Sequence, residues 1–180
     1  MASTLKINNI DTASGSTITI PTGKQLIVTD QGGVRVPGSV IQVVYVAGTT
    51  STTLSGVGFT EIGLNGSITP ISTSSKILIS FTQHFRIHST NGDAGCGWGI
   101  KRDIGGTEVR VYNTTTSIND YFYANGGWFD MRTATTSTHL DSPSTTSAIT
   151  YKAEARRYAN TVTIGQASNQ GFMTLMEIAQ

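Results

Sequence analysis

Apolar residues fall into two regimes along the chain, and the change comes at Pro37-Gly38. Before it, Ile10, Ile18, Leu26 and Val34 recur every eight residues, and Ile20, Val28 and Val36 form a second row at the same interval. Within each unit the two rows sit two positions apart, the spacing of neighbours on one face of a strand. Ala13-Ser14-Gly15, Pro21-Thr22-Gly23 and Asp30-Gln31-Gly32-Gly33 supply turn chemistry between them. The pattern predicts three very short strands, each with too few inward residues to bury a face alone. Such units stack on one another, on sister chains or on a host surface, so residues 1–37 read as a stalk or docking segment. An ordinary meander packed on the main body is the plainer alternative.

After the Pro-Gly break, Val40 to Val46 is the most apolar run, and longer strand patterns follow it. The predicted strands are Val40 to Ala47, Ile62 to Thr69, Lys76 to His88, Gly97 to Asp103, Thr107 to Tyr112, Asp120 to Tyr123, Trp128 to Thr133, Ala148 to Arg157, Thr161 to Ile164 and Phe172 to Ile178. Several alternate strictly: Ile77, Ile79, Phe81, Phe85 and Ile87 against polar neighbours, Val109 and Val111 against Arg110 and Tyr112, and Ile149, Tyr151, Ala153 and Ala155 against Thr150, Lys152, Glu154 and Arg156. Alternation places one face inward and leaves the other wet. Gly105-Gly106 and Asn125-Gly126-Gly127 suit hairpins, since glycine and asparagine tolerate positive φ. No helical stripe competes. The fold expected is all-β: a short-strand segment over 1–37, then a jelly-roll-like sandwich over 38–180.

Composition narrows the function classes. With 180 residues, 13% charged side chains and a net charge of +1, the chain generates no field that favours DNA or an anionic membrane. The single Cys96 closes no disulfide within the chain, so stability must come from packing or from other subunits. The amino terminus lacks the apolar core of a signal peptide, and no apolar run approaches the ~20 residues of a membrane-spanning helix. No nucleic acid, membrane insertion or cofactor is expected.

Candidate chemistry is sparse. His84 and His88 have the spacing that binds zinc on a helix, but on a strand it separates them by about 13 Å. A shared metal would need imidazoles from several chains, and two wet-face residues are the simpler reading. Cys96 has no placeable catalytic partner and reads as a small buried filler. Asp93, Asp103, Asp120, Asp130 and Asp141 occupy separate turns without acid-base spacing, and Asn91-Gly92-Asp93 lacks the acidic density of a calcium loop. No catalytic or metal site is therefore expected. The aromatic run from Tyr121 to Phe129 carries rings on both faces, so one face must cover a sister subunit, a particle surface or a sugar. Tyr121, Tyr123 and Trp128 are its candidate recognition residues, and Arg156-Arg157-Tyr158 would contribute a charged rim or a solvated strand end.

The opening Met1-Ala2-Ser3-Thr4-Leu5-Lys6-Ile7-Asn8-Asn9-Ile10, the segment Thr17 to Lys24 and the joint Pro37-Gly38-Ser39-Val40-Ile41-Gln42-Val43 resemble the start of tail-fibre-type structural proteins of aquatic, marine or cyanobacterial, tailed bacteriophages. Ser74 to Ile79, Leu140-Asp141-Ser142-Pro143, Ile149-Thr150-Tyr151-Lys152 and Thr174 to Ala179 are similar to the carboxy-terminal β module of that group. The resemblance implies a non-enzymatic virion protein assembled in the host cytoplasm. It further implies a homotrimer whose amino terminus docks on other virion proteins and whose head faces outward, toward a host glycan or receptor. Ile10, Ile18, Ile20, Leu26, Val28, Val34 and Val36 would then form the docking or trimer core. A capsid decoration, cement or head-fibre protein fits the short chain as well, and a glycan-active enzyme is the remote third class.

Overall fold

The computed structural model describes residues 20–30, 33–48, 51–90, 92–113, 120–122, 127–165 and 171–180. Eleven strands make up the body: β1 (Val40–Gly48), β2 (Thr52–Leu54), β3 (Thr60–Ile68), β4 (Lys76–Ser89), β5 (Ala94–Ile104), β6 (Thr107–Asn113), β7 (Asp120–Phe122), β8 (Phe129–Asp141), β9 (Ile149–Ala159), β10 (Thr161–Ile164) and β11 (Gly171–Ile178). All pair antiparallel. The first sheet runs β1-β11-β4-β8, with β10 and then β2 continuing along the edge of β4 beyond β11. The second runs β3-β9-β5-β6, with β7 beside the start of β5. Two four-stranded paths, β1-β11-β4-β8 facing β3-β9-β5-β6, with the first strand beside the last, give the jelly-roll order.

Strict alternation builds the core. Every second residue of β4 from Ile77 to Ile87 points inward, as do Met173 and Leu175 of β11. They meet Ile62 and Leu64 of β3, Trp98 and Ile100 of β5, and Ile149, Tyr151, Ala153 and Ala155 of β9. Trp98 spans the layers, its ring 5.2 Å from Phe85 and 6.2 Å from Phe81. Cys96 is buried beside it in sequence as the expected filler.

Four expectations need correction. Among residues 20–30 and 33–39 no strand forms; only turns hold the backbone, with Lys24 N–H donating to the Pro21 carbonyl at 3.0 Å and Ser39 N–H to the Val36 carbonyl at 2.8 Å. Strands of this length are not stable by themselves, which is the weakness the repeat itself implies. Ile10 and Ile18 lie outside the described residues. Second, β8 starts at Phe129 and continues to Asp141, far past Thr133. Its later inward row, Thr135, Ser137 and His139, is polar and gives no hydrophobic alternation, yet full pairing with the long β4 carries it on. Third, Val109 on the outer strand β6 is 47% exposed, and Val111 and Tyr112 pack against the core, so the expected alternation of Val109 and Val111 against Tyr112 fails where a register shift interrupts the pairing of β6 with β5. Fourth, β2 was not anticipated, since Leu54 is its one buried apolar residue.

The joint is fixed as the Pro-Gly pair demands. Gly38 takes φ +84°, the left-handed position after a turn proline, and its N–H donates to Ala179 O at 2.8 Å. Ala179 N–H returns a bond to Ser39 O at 2.9 Å. Residues 20–36 thus enter the sandwich beside its carboxy terminus.

Candidate functional site

The outward faces of the two sheets differ in kind. On the β3-β9-β5-β6 sheet, Lys101 and Lys152 lie directly opposite one another, an arrangement that repels unless acids intervene. Glu108 accepts from both, Lys152 at 2.5 Å and Lys101 at 2.9 Å. Glu61 accepts from Lys101 at 3.0 Å, Asp103 lies 3.1 Å from Lys152, and buried Glu154 takes Arg110 Nε at 2.6 Å. Hydrogen bonds from Lys152 and Lys101 pull the Glu108 carboxyl down to about 2, and bonds to Glu108 hold both ammonium groups above their ordinary range. Phe59 closes the rest of this face. It rests against Gly99, where an added Cβ would meet its ring at 3.2 Å, with Arg110 4.5 Å and Arg156 5.1 Å from its centroid.

Among the described residues, the outward face of the β1-β11-β4-β8 sheet has no such cover. Register aligns Val43, Met176, Leu78 and Leu140 in one row across four strands. The next row is Tyr45, Thr174, Ser80 and Thr138, followed by Ala47, Phe172, Thr82 and Thr136. None of the three rows carries a charge. Tyr45, 65% exposed, stacks on Phe172 at 6.2 Å. His84 and His88 belong to this face further along β4, four residues apart on one strand, in the extended spacing that keeps them from sharing an ion within a chain. Among the described residues, no group of three or more His, Cys, Asp or Glu is placed to hold a metal ion.

A third surface lies at the sandwich end formed by the start of β5, the start of β8 and the close of β9. Phe122 and Phe129, rings 6.3 Å apart, pack against the core, while Tyr121 and Trp128 beside them are 43% and 67% exposed. Tyr121 stands edge-on to Tyr158 at 5.8 Å and donates its hydroxyl to Asp93; Trp128 stands edge-on to His88 at 6.2 Å. Tyr123 lies outside the described residues. Tyr158 joins this cluster as a ring, a role that reading it with Arg156-Arg157 as a charged rim missed. Of those two arginines, Arg156 turns toward Phe59, while Arg157 donates to Asn160 O at 3.1 Å beside the cluster, where Asn160 in turn donates to Asp93 O. Tyr121 and Trp128, the two expected recognition residues among those described, therefore lie at one end of the sandwich.

The scattered aspartates have structural partners. Asp130 pairs with Arg86 at 2.6 Å, and Asp141 accepts from Arg102 at 2.8 Å and from the Tyr151 hydroxyl at 2.7 Å. The latter trio ties β8 to β5 and β9 across the two layers. Glu177 is similarly enclosed. Burial pushes its carboxyl up, but bonds including those from Gln42 Nε2 at 2.5 Å and Ile71 N–H at 2.8 Å outweigh this and leave it below its ordinary value.

A fourth surface, in the segment before the joint, is apolar and open among the described residues: Leu26 is 66% and Ile27 76% exposed, and Ile20, Val28, Val34 and Val36 are exposed as well.

No family model and no curated protein matches the chain. It overlaps in part with two solved viral structures. One is the structure of the infectious bursal disease virus Gx strain, at 13% identity and a TM-score of 0.47, over 89% of this chain and 40% of that one. The other is the infectious bursal disease virus VP2 subviral particle, at 11% identity and a TM-score of 0.38, over 77% and 38%. The chain spans about two-fifths of their length.

Proposed function

We propose that this chain is a structural protein of a bacteriophage virion, tail-fibre-like, which docks on the particle through residues 1–37 and presents a homotrimeric β head for attachment to the host surface. One observation carries the reading: a sandwich with its own core is joined at Pro37-Gly38 to a segment in which the apolar side chains among the described residues, Leu26 and Ile27 foremost, stay exposed. A segment that merely finished the fold would bury Leu26 and Ile27. Exposed apolar rows instead mark contact with other protein. The tail-fibre resemblance of the amino-terminal and joint motifs supplies the setting, and the paired carboxylates and lysines of the second sheet are engaged in holding the fold.

The exposed Tyr121, Trp128 and Tyr158 rings at one end suit a glycan or receptor, because aromatic planes stack on the apolar faces of sugars. The test is gold-labelled antibody against residues 38–180 on intact virions, viewed by electron microscopy. Label at the tail is the expected result. Label over the shell would replace attachment with capsid decoration, and virions free of label would overturn the proposal.

A further inference from the structure

We infer that Glu177 is a latch on the joint: its carboxylate holds the sandwich and the root of the segment before it together, and protonation releases them. The side chain is fully buried near the end of β11. Two residues on, Ala179 donates its N–H to Ser39 O and accepts from Gly38 N–H, so β11 carries the joint directly. Segments far apart in sequence meet on the two carboxylate oxygens. Gln42 Nε2 of β1 donates to Oε2 at 2.5 Å, and Ile71 N–H, in the connection from β3 to β4, donates to Oε1 at 2.8 Å. Gln42 Nε2 also donates to Thr69 O at 2.7 Å, which closes β1 onto the same connection. The backbone of β1 is shaped for this contact. Its pairing with β11 slips between Val40, opposite Ile178, and Gln42, opposite Glu177, leaving Ile41 as the extra residue. A bulge of this kind re-aims a neighbouring side chain, here Gln42 toward the carboxylate.

The connection so fixed is the wall against which the segment lies. Arg35 lines a small cavity with Ser72, Ser74 and Ser75, to which the bulged Ile41 and Ala179 also contribute. Release of the carboxylate thus reaches Arg35 by two routes, through residues 69–75 and through Ala179. Gln42 and Ile71 are neutral amide donors, suited to an anion. A protonated carboxyl sets its own O–H against these N–H groups and loses the charge that strengthens them. Burial pushes the Glu177 carboxyl up, but its hydrogen bonds outweigh this and hold it below its ordinary 4.5. The order it supplies is therefore complete above 4.5 and lost as pH falls through the folded value. The charged groups around it are Lys76, opposite the adjoining Ile178 on β4, Arg35 at the cavity, and Asp141, beyond Ile77 in the same row and paired with Arg102.

Hydrogen-exchange mass spectrometry on the full chain tests the latch, with protection corrected for intrinsic exchange at each pH. Glu177→Gln offers one acceptor oxygen to donors that now hold two. At neutral pH, its peptides covering residues 38–44 and 69–76 should exchange several-fold faster than in the parent, while β5 and β9 keep their protection. The parent should open the same peptides as pH falls below 4.5, and the variant should show no such step. Gln42→Ala removes one donor and keeps the acid, so its step should move to higher pH. Glu108→Gln, on the outward face of the other sheet, should leave the joint peptides as they are in the parent. Unchanged protection at the joint in Glu177→Gln, or a step in Gln42→Ala at the parent's pH, overturns the inference. A rise spread evenly over all strands overturns it too, since Glu177 would then serve global stability alone. Should Glu177→Gln fail to fold, the position of the step in the parent and in Gln42→Ala decides. None of these readings involves the particle, so the latch and the proposed function fail separately.

Discussion

Glu108 is where the charged face is most exposed to test. Its folded carboxyl sits near 2, against an ordinary 4.5, because Lys152 and Lys101 both donate to it. A depressed pKa contributes stability that is fully present above 4.5 and is lost as pH falls toward 2. Acid unfolding followed by fluorescence should therefore show Glu108→Gln losing less stability than the parent across that window; parallel losses would mean the bonds to the lysines are not maintained in solution. Trp98 bears the core. Filling the space between Phe81 and Phe85, it should cost about 3 to 5 kcal/mol when replaced by alanine, read by denaturant titration. Tyr121→Ala and Trp128→Ala, on exposed rings, should leave stability within about 0.5 kcal/mol while reducing host adsorption; intact adsorption with both substitutions would remove this end as a recognition surface.

Between elements, what could be read in the chain depended on whether a strand buries apolar side chains on one face. β4, β9 and β11 do, and Ile77 to Ile87, Ile149 to Ala155 and Met173 to Leu175 announce themselves by alternation. β8 does not: Thr135, Ser137 and His139 turn inward at a polar margin of the sandwich, where His139 meets the Tyr112 ring at 5.6 Å. Its length comes from its partner β4. β2 is held by β10 rather than by its own composition. The aromatic end was half legible, since ring-rich sequence marked Tyr121 and Trp128, whereas Tyr158 and His88 reach the same end only through the packing of other strands. The three uncharged rows of the first sheet's outward face could not be read at all, because they arise from register among four strands far apart in sequence. The repeat before the joint is different again, a pattern whose described apolar residues, from Ile20 to Val36, are exposed. Leu26→Ser with Val34→Ser should leave the melting temperature of the head unchanged, since both are exposed. The same pair should remove roughly 3 to 6 kcal/mol of burial per chain from the assembled particle or oligomer, seen as loss of incorporation. Unfolding of the head would contradict the division at residue 37.

Among the described residues, the sandwich holds a core of its own and leaves apolar side chains open on part of its surface. Its core is filled, its buried carboxylates Asp141, Glu154 and Glu177 are all bonded, and one sheet is closed outward by paired charges. The other sheet and the described part of the segment leading into it leave apolar side chains open, the feature on which the proposed self-association rests. The most direct measurement is the native mass of the unmodified chain by sedimentation velocity over a wide concentration range. Three times 19.1 kDa, persisting on dilution, is the predicted result. A 19.1 kDa monomer at every concentration would contradict the account.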